Sequence, residues 1–234
     1  MSNKKKCVGI IGGMGPGATA LLFQKIIGYT DAKTDAEHIH IVIDNRPSIP
    51  DRTSAIIKGE NTPARYICES GKKLKEYGAE LLAIPCNTSH YFYADIQGQL
   101  DIPVINMLEE TAKVCNEYGF SKVGVLATTG TRNTKIYDRA LEKVGIEAIY
   151  PDEEGQELLM TIIYDYVKAG INVDCAMFQK EIAKMISRGV ESFILGCKEL
   201  PMVFQDGDFG MRFIDSLDVL AKRTVEMAGY PLKQ

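Results

Sequence analysis

Three blocks of this chain occur twice, in the same order. CVGIIGGMGP aligns with KVGVLATTGT, AELLAIPCNTS with ESFILGCKELP, and IPVINMLEETAK with MRFIDSLDVLAK. The separation from Val8 to Cys86 nearly equals that from Val123 to Cys197, as an internal duplication requires. Within each copy, short apolar runs of strand length end in glycines or small polar residues, and amphipathic stretches come next. Strands alternating with helices predict the α/β class with parallel sheets, whose C-terminal strand ends carry the functional loops. The expected architecture is two similar α/β domains related by pseudo-twofold symmetry, with the active site in the cleft between them. The first half spans 1–110 and the second 111–212, which leaves the segment from about 213 to 234 to pack onto the first.

Along the first copy, the predicted strands are Lys6 to Ile11, Ile39 to Asp44, the run from Leu81, and Val104 to Asn106. Between them, Ala20, Phe23, Ile26 and Ile27 fall on one face of a helix, and Pro63 to Tyr77 forms another. The prolines of NRPSIPDRT keep that stretch irregular until about Thr53. Further helices are predicted near Tyr91 to Gln97 and from Leu108 to Tyr118, the latter closed by Gly119.

Composition removes several classes of function. With 234 residues and 45% hydrophobic content the chain can bury a full core. A net charge of -4 leaves no basic stripe for nucleic acid, and no stretch is long enough to cross a bilayer. The start MSNKKK leads into too short an apolar run for a signal peptide, so the expected location is the cytoplasm. In that reducing setting the six cysteines are read as free thiols. No C-x-x-C pair or H-x-x-x-H spacing supports a metal site, and no cofactor is expected.

Cys86 and Cys197 stand apart from the other four because each ends the equivalent strand of its repeat. Thr88 or Ser89 could cap a helix whose first amides bias the Cys86 thiol toward thiolate. Two thiols facing each other across a cleft suit a reaction that removes a proton from one face of a carbon and returns one to the other. Racemisation at an amino-acid α-carbon is such a reaction, and the low acidity of that C–H bond calls for placed donors in a dry cavity. Asn87, Thr88, Thr128, Thr129 and Thr131, all at strand ends, are short neutral side chains suited to the task.

Taken together, GGMGP, NRPSIPDRT, PCNT, ATTGT and the late GC-x-E resemble the aspartate/glutamate racemase family, in particular its pyridoxal-independent aspartate racemase branch. The similarity runs nearly end to end. It implies a cofactor-free homodimer acting on a small acidic amino acid, with Cys86 and Cys197 as the acid/base pair. The resemblance matches Arg52 and Lys168 to family residues associated with substrate carboxylates or catalysis; Met14, Lys198 and Glu199 complete the candidate substrate-binding set. Lys198 departs from the family, which usually has threonine there; a cation beside Cys197 would favour its thiolate and could hold a substrate carboxylate, but pointing inward it would repel a substrate ammonium.

Other readings compete. GGMGPGA satisfies G-x-G-x-x-A after a strand, which suits a dinucleotide, although Pro16 removes an amide and Asp44 lies too far along the chain. A non-catalytic diacid-binding protein, or a maleate isomerase-like or decarboxylase-like member of the superfamily, would use the same cleft. Cys7, Cys68, Cys115 and Cys175 read as small core residues. Glu199 reads as a hydrogen-bond partner rather than a third acid, and His90, four positions past Cys86, reads as a cap or packing residue.

Overall fold

A computed structural model describes residues 5–233; of the basic start, residues 1–4 lie outside this range. The helices are α1 (Pro16–Tyr29), α2 (Arg52–Ile57), α3 (Thr62–Glu76), α4 (Tyr93–Gln99), α5 (Met107–Glu117), α6 (Thr129–Thr134), α7 (Ile136–Glu142), α8 (Glu153–Thr161), α9 (Gln179–Ser187) and α10 (Ser216–Met227). The strands are β1 (Val8–Gly12), β2 (Ile41–Asn45), β3 (Leu81–Ala83), β4 (Lys122–Leu126), β5 (Glu147–Ile149), β6 (Ser192–Leu195) and β7 (Arg212–Asp215). The chain divides into two compact units, residues 1–110 with 217–234, and residues 111–216.

In the first unit the sheet order is β2-β1-β3, all parallel, with Ile10 opposite both Ile43 and Ala83. The predicted strand Val104 to Asn106 shrinks to a single bridge between Leu82 and Val104. Pro103 precedes it and cannot donate to a ladder, and Asn106 already turns its side chain to accept from the amides of Leu108 and Glu109 at the start of α5. Helix α1 begins with Pro16 in its first turn and buries Ala18, Thr19, Leu22 and Ile26. Its buried face is therefore turned from the predicted one: Ile26 is inside, but Phe23 and Ile27 are more than a third exposed and Ala20 is exposed. Leu217, Leu220, Ala221 and Val225 of α10 join Leu22 and Ile26 in one core cluster. Each fully buried leucine there contributes about 1.5–3 kcal/mol.

In the second unit the order is β5-β4-β6-β7, again all parallel. Both units thus place their second strand, first strand, third strand and fourth segment side by side in the same sequence, which is the topology expected of a duplication. Residues 212–215 belong to this second sheet, and the chain rejoins the first unit only from Leu217. Phe193 stacks on Phe213 at 5.1 Å between ring centres, and Phe213 on Phe204 at 5.6 Å. The first of these rings explains Gly124, where an added Cβ would lie 2.4 Å from Phe193.

All six cysteines are unbridged. Cys68 and Cys115 are buried core residues as expected, whereas Cys7 and Cys175 are only partly covered. Among the described residues no helix is long and apolar enough to cross a membrane.

Candidate active site

In the first unit, β3 carries the chain to Cys86, and the glycine loop after the neighbouring β1 lies beside it because the two strands are paired. The strand is shorter than the apolar run suggested, stopping at Ala83 ahead of Pro85. A tight bond from the Cys86 amide to the carbonyl of Ile84, 2.8 Å, then turns the backbone. The turn leads into a 3-10 segment, Thr88–Phe92, and its cap is Asn87 with no side-chain capping bond. Neither Thr88 nor Ser89 caps it; the Ser89 hydroxyl instead donates to Met14 Sδ at 3.3 Å. Met14 itself is 6% exposed and packed in the core cluster, so its side chain supports the loop from beneath.

His90 secures the Cys86 loop. Its Nδ1 lies 2.9 Å from the Cys86 carbonyl, and its Nε2 accepts the Met107 amide at 3.2 Å. Those partners assign the neutral ring with the proton on Nδ1. Burial pushes the pKa of this ring down, against the raising effect of the carbonyls of Cys86 and Ile105. With both nitrogens committed, His90 is a brace for the cysteine backbone.

Arg52 opens α2, a helix capped by Asp51, whose carboxylate accepts from the Ser54 amide at 2.8 Å. The Arg52 Nη1 donates to the carbonyl of Pro50 at 3.1 Å, while its Nε is buried with no protein partner among the described residues. Helix α2 packs against the 3-10 segment after Cys86. A half-anchored guanidinium with a spare buried donor is suited to a carboxylate.

The glycine loop has a structural explanation of its own. Gly13 has φ 93°, and a Cβ there would fall 2.3 Å from the backbone of Arg46; one on Gly12 would fall 2.4 Å from Thr19. The Gly13 amide donates to the Thr19 hydroxyl at 2.9 Å. Close approach of protein to protein thus accounts for the glycines of the G-x-G-x-x-A match.

In the second unit, β4 and β6 run side by side and the Gly196 amide donates to the Leu126 carbonyl at 2.8 Å. That pairing sets the ATTGT loop next to Cys197. Thr128 caps α6 by accepting from the Thr131 amide at 3.5 Å, and Thr131 is 1% exposed, so these two threonines serve the loop itself. Thr129 is held from behind by Gln156, a buried residue that sequence reasoning missed. The Gln156 amide donates to the carbonyl of Ala127 at 3.0 Å and to the Thr129 hydroxyl at 3.4 Å.

Around Cys197 the groups are charged. Its thiol donates to Glu199 Oε2 at 2.8 Å, and Lys198 pairs with Glu199 Oε1 at 3.0 Å. Burial and then the Glu199 charge push the Cys197 pKa well up, with the Lys168 ammonium as a smaller opposing influence. The expectation that Lys198 would favour the thiolate is therefore overturned, because its charge is spent on Glu199. Burial tends to raise the Glu199 pKa, but the bond from Cys197 and the two lysines outweigh it and hold the carboxyl below its usual range.

Lys168 comes directly after a π-helical turn, Ile162–Val167, and its amide bonds back five residues to Ile163 at 3.1 Å. Such wide turns re-aim side chains and recur at functional sites. Its ammonium sits 3.8 Å from the centre of the Tyr164 ring.

Comparison with known proteins identifies the family. The Asp/Glu/hydantoin racemase family matches residues 11–224. The broad specificity amino-acid racemase RacX of Bacillus subtilis (strain 168) is 30% identical over 222 residues, 93% of this chain and 96% of that one. The structure of the Picrophilus torridus aspartate racemase superposes with a TM-score of 0.81 at 33% identity, covering 97% of this chain and 96% of that one. An aspartate racemase homologue from Pyrococcus horikoshii OT3 gives 0.85 at 27% identity, with 95% and 99% covered. The chain belongs to the Asp/Glu/hydantoin racemase family and is an enzyme of the isomerase class.

Proposed function

We propose that the protein interconverts the L and D forms of a small acidic amino acid, aspartate first, without a cofactor, using Cys86 and Cys197 as the acid/base pair. The observation that carries this reading is the repeat itself: a partly exposed thiol stands just past the equivalent strand in each unit. A two-base racemisation needs one sulfur on each face of the α-carbon, so that one removes the proton while the other supplies its replacement. Arg52 supports an acidic substrate, since its spare donor matches a second carboxylate. Lys168 supplies a cation to the Cys197 side, where it would offset carboxylate charge.

The names of similar proteins support both a narrow and a broad substrate range, aspartate in one case and many amino acids in the other. The pairing of Lys198 with Glu199 favours turnover over the diacid-binding alternative, because the lysine charge that would have repelled a substrate ammonium is neutralised. The resemblance of the motifs further suggests a cytoplasmic homodimer.

Incubation with either enantiomer of aspartate in deuterium oxide is expected to place deuterium at the α-position of the product, while substrate recovered early in the reaction keeps its hydrogen. Absence of exchange with aspartate and glutamate alike would remove the acidic-substrate claim.

A further inference from the structure

Glu199 is 3% exposed and touches the sulfur of Cys197, accepting the thiol hydrogen bond at 2.8 Å through Oε2. Its other oxygen is held by Lys198 at 3.0 Å, which fixes the carboxylate plane. The charged groups that act on Cys197 are Glu199 and the opposing Lys168, with Lys198 acting through its pair with Glu199. Ionising the thiol here would set two anions at hydrogen-bond distance in a buried place, which strongly favours keeping one proton on the pair. No such arrangement marks the other cysteine, whose described hydrogen bonds run through its backbone amide and carbonyl.

Resting on the two-cysteine reading above, we propose that Glu199 fixes the order of proton transfer by holding Cys197 as the proton donor when substrate arrives. The resting enzyme then consumes the enantiomer whose α-hydrogen faces Cys86. The Cys86 thiolate takes that hydrogen as a proton, and the C–H electron pair stays on the α-carbon. The S–H bond of Cys197 breaks as its proton joins the opposite face. This leaves a Cys86 thiol and a Cys197 thiolate beside the Glu199 carboxylate; once product departs, Cys86 releases its proton to water and the repulsion drives Cys197 to take one up, which restores the resting form. Glu199 contacts a reacting atom and is therefore a catalytic residue rather than a packing partner. Lys198 and Lys168 keep it ionised for that role.

The test reads the thiol directly. Iodoacetamide labelling of the full chain across a pH series, with mass spectrometry of the peptide containing Cys197, yields a midpoint for that residue. In the parent it is expected above the ordinary thiol value of about 8.5. Glu199→Gln should lower it by about one unit or more, and Glu199→Asp, which keeps the charge, should leave it high. An unchanged midpoint in Glu199→Gln overturns the proposal. Should that variant fail to fold, an ordinary midpoint for Cys197 in the parent overturns it equally. Labelling needs no turnover, so a protein inactive on acidic amino acids would defeat the functional reading and leave this result standing.

Discussion

Cys86 and Cys197 stand after equivalent strands, yet they are held by groups of different character. The Cys86 loop is braced by a neutral imidazole that ties its carbonyl to the first amide of α5. The Cys197 loop is held by a carboxylate and two lysines, with the thiol itself in the network. One thiol is positioned through its backbone, and the other is controlled at its sulfur. Duplication supplied two copies of a strand end, and divergence of the next four residues, NTSH against KELP, gave them unlike environments.

Removing either sulfur is expected to have the largest effect. Cys86→Ala and Cys197→Ala should each lower the racemisation rate by about 10²–10⁴-fold or more, as monitored by circular dichroism of the substrate. Activity retained in one of them would reduce the pair to a single working thiol.

A smaller effect separates the braces. His90→Leu leaves the Cys86 carbonyl and the Met107 amide without their partner, at a cost of about 2–4 kcal/mol in urea unfolding. The same substitution tests a pH dependence. Burial depresses the folded pKa of His90, so below the unfolded value of about 6.5 the unfolded chain binds a proton that the folded one excludes. Stability from this group is complete above that pH and declines as the pH falls toward the folded pKa. His90→Leu should flatten that decline. The second unit contains no histidine, so the decline arises in the first unit alone.

The smallest effect is expected at Lys198. It is 36% exposed, and solvent screens its pair with Glu199, so Lys198→Ala should cost about 0–1 kcal/mol in the same unfolding assay. A much larger loss would mean that the lysine, rather than the Cys197 thiol, is what keeps Glu199 tolerable in the interior.

The alternation of strands and helices was legible from apolar runs and glycines, because the periodicity and the turns are local properties of the chain. The strand ends carrying Cys86 and Cys197 were legible for the same reason, once the repeat was seen. Less legible was anything decided by rotation or by a distant partner. The buried face of α1 shifted to Ala18, Leu22 and Ile26, since apolar residues lie all round α1 and the sheet selects among them. The π-turn before Lys168 leaves no mark in periodicity. Gln156 reaches the Thr129 loop from a separate helix, so its role depends on a contact between residues 27 positions apart. Glu199 was recognisable as a hydrogen-bond partner, but that its partner would be the thiol depended on the turn after β6.

The division at residues 110 and 111 falls inside α5, whereas the return at 216 and 217 falls at the very start of α10. Anyone seeking to recover the ancestral single copy by gene truncation at residue 110 would sever α5, exposing unsatisfied amides and carbonyls in mid-helix. A faithful half-protein must therefore keep all of α5 and carry α10 on a linker, since α10 fills the core beside Leu22 and Ile26.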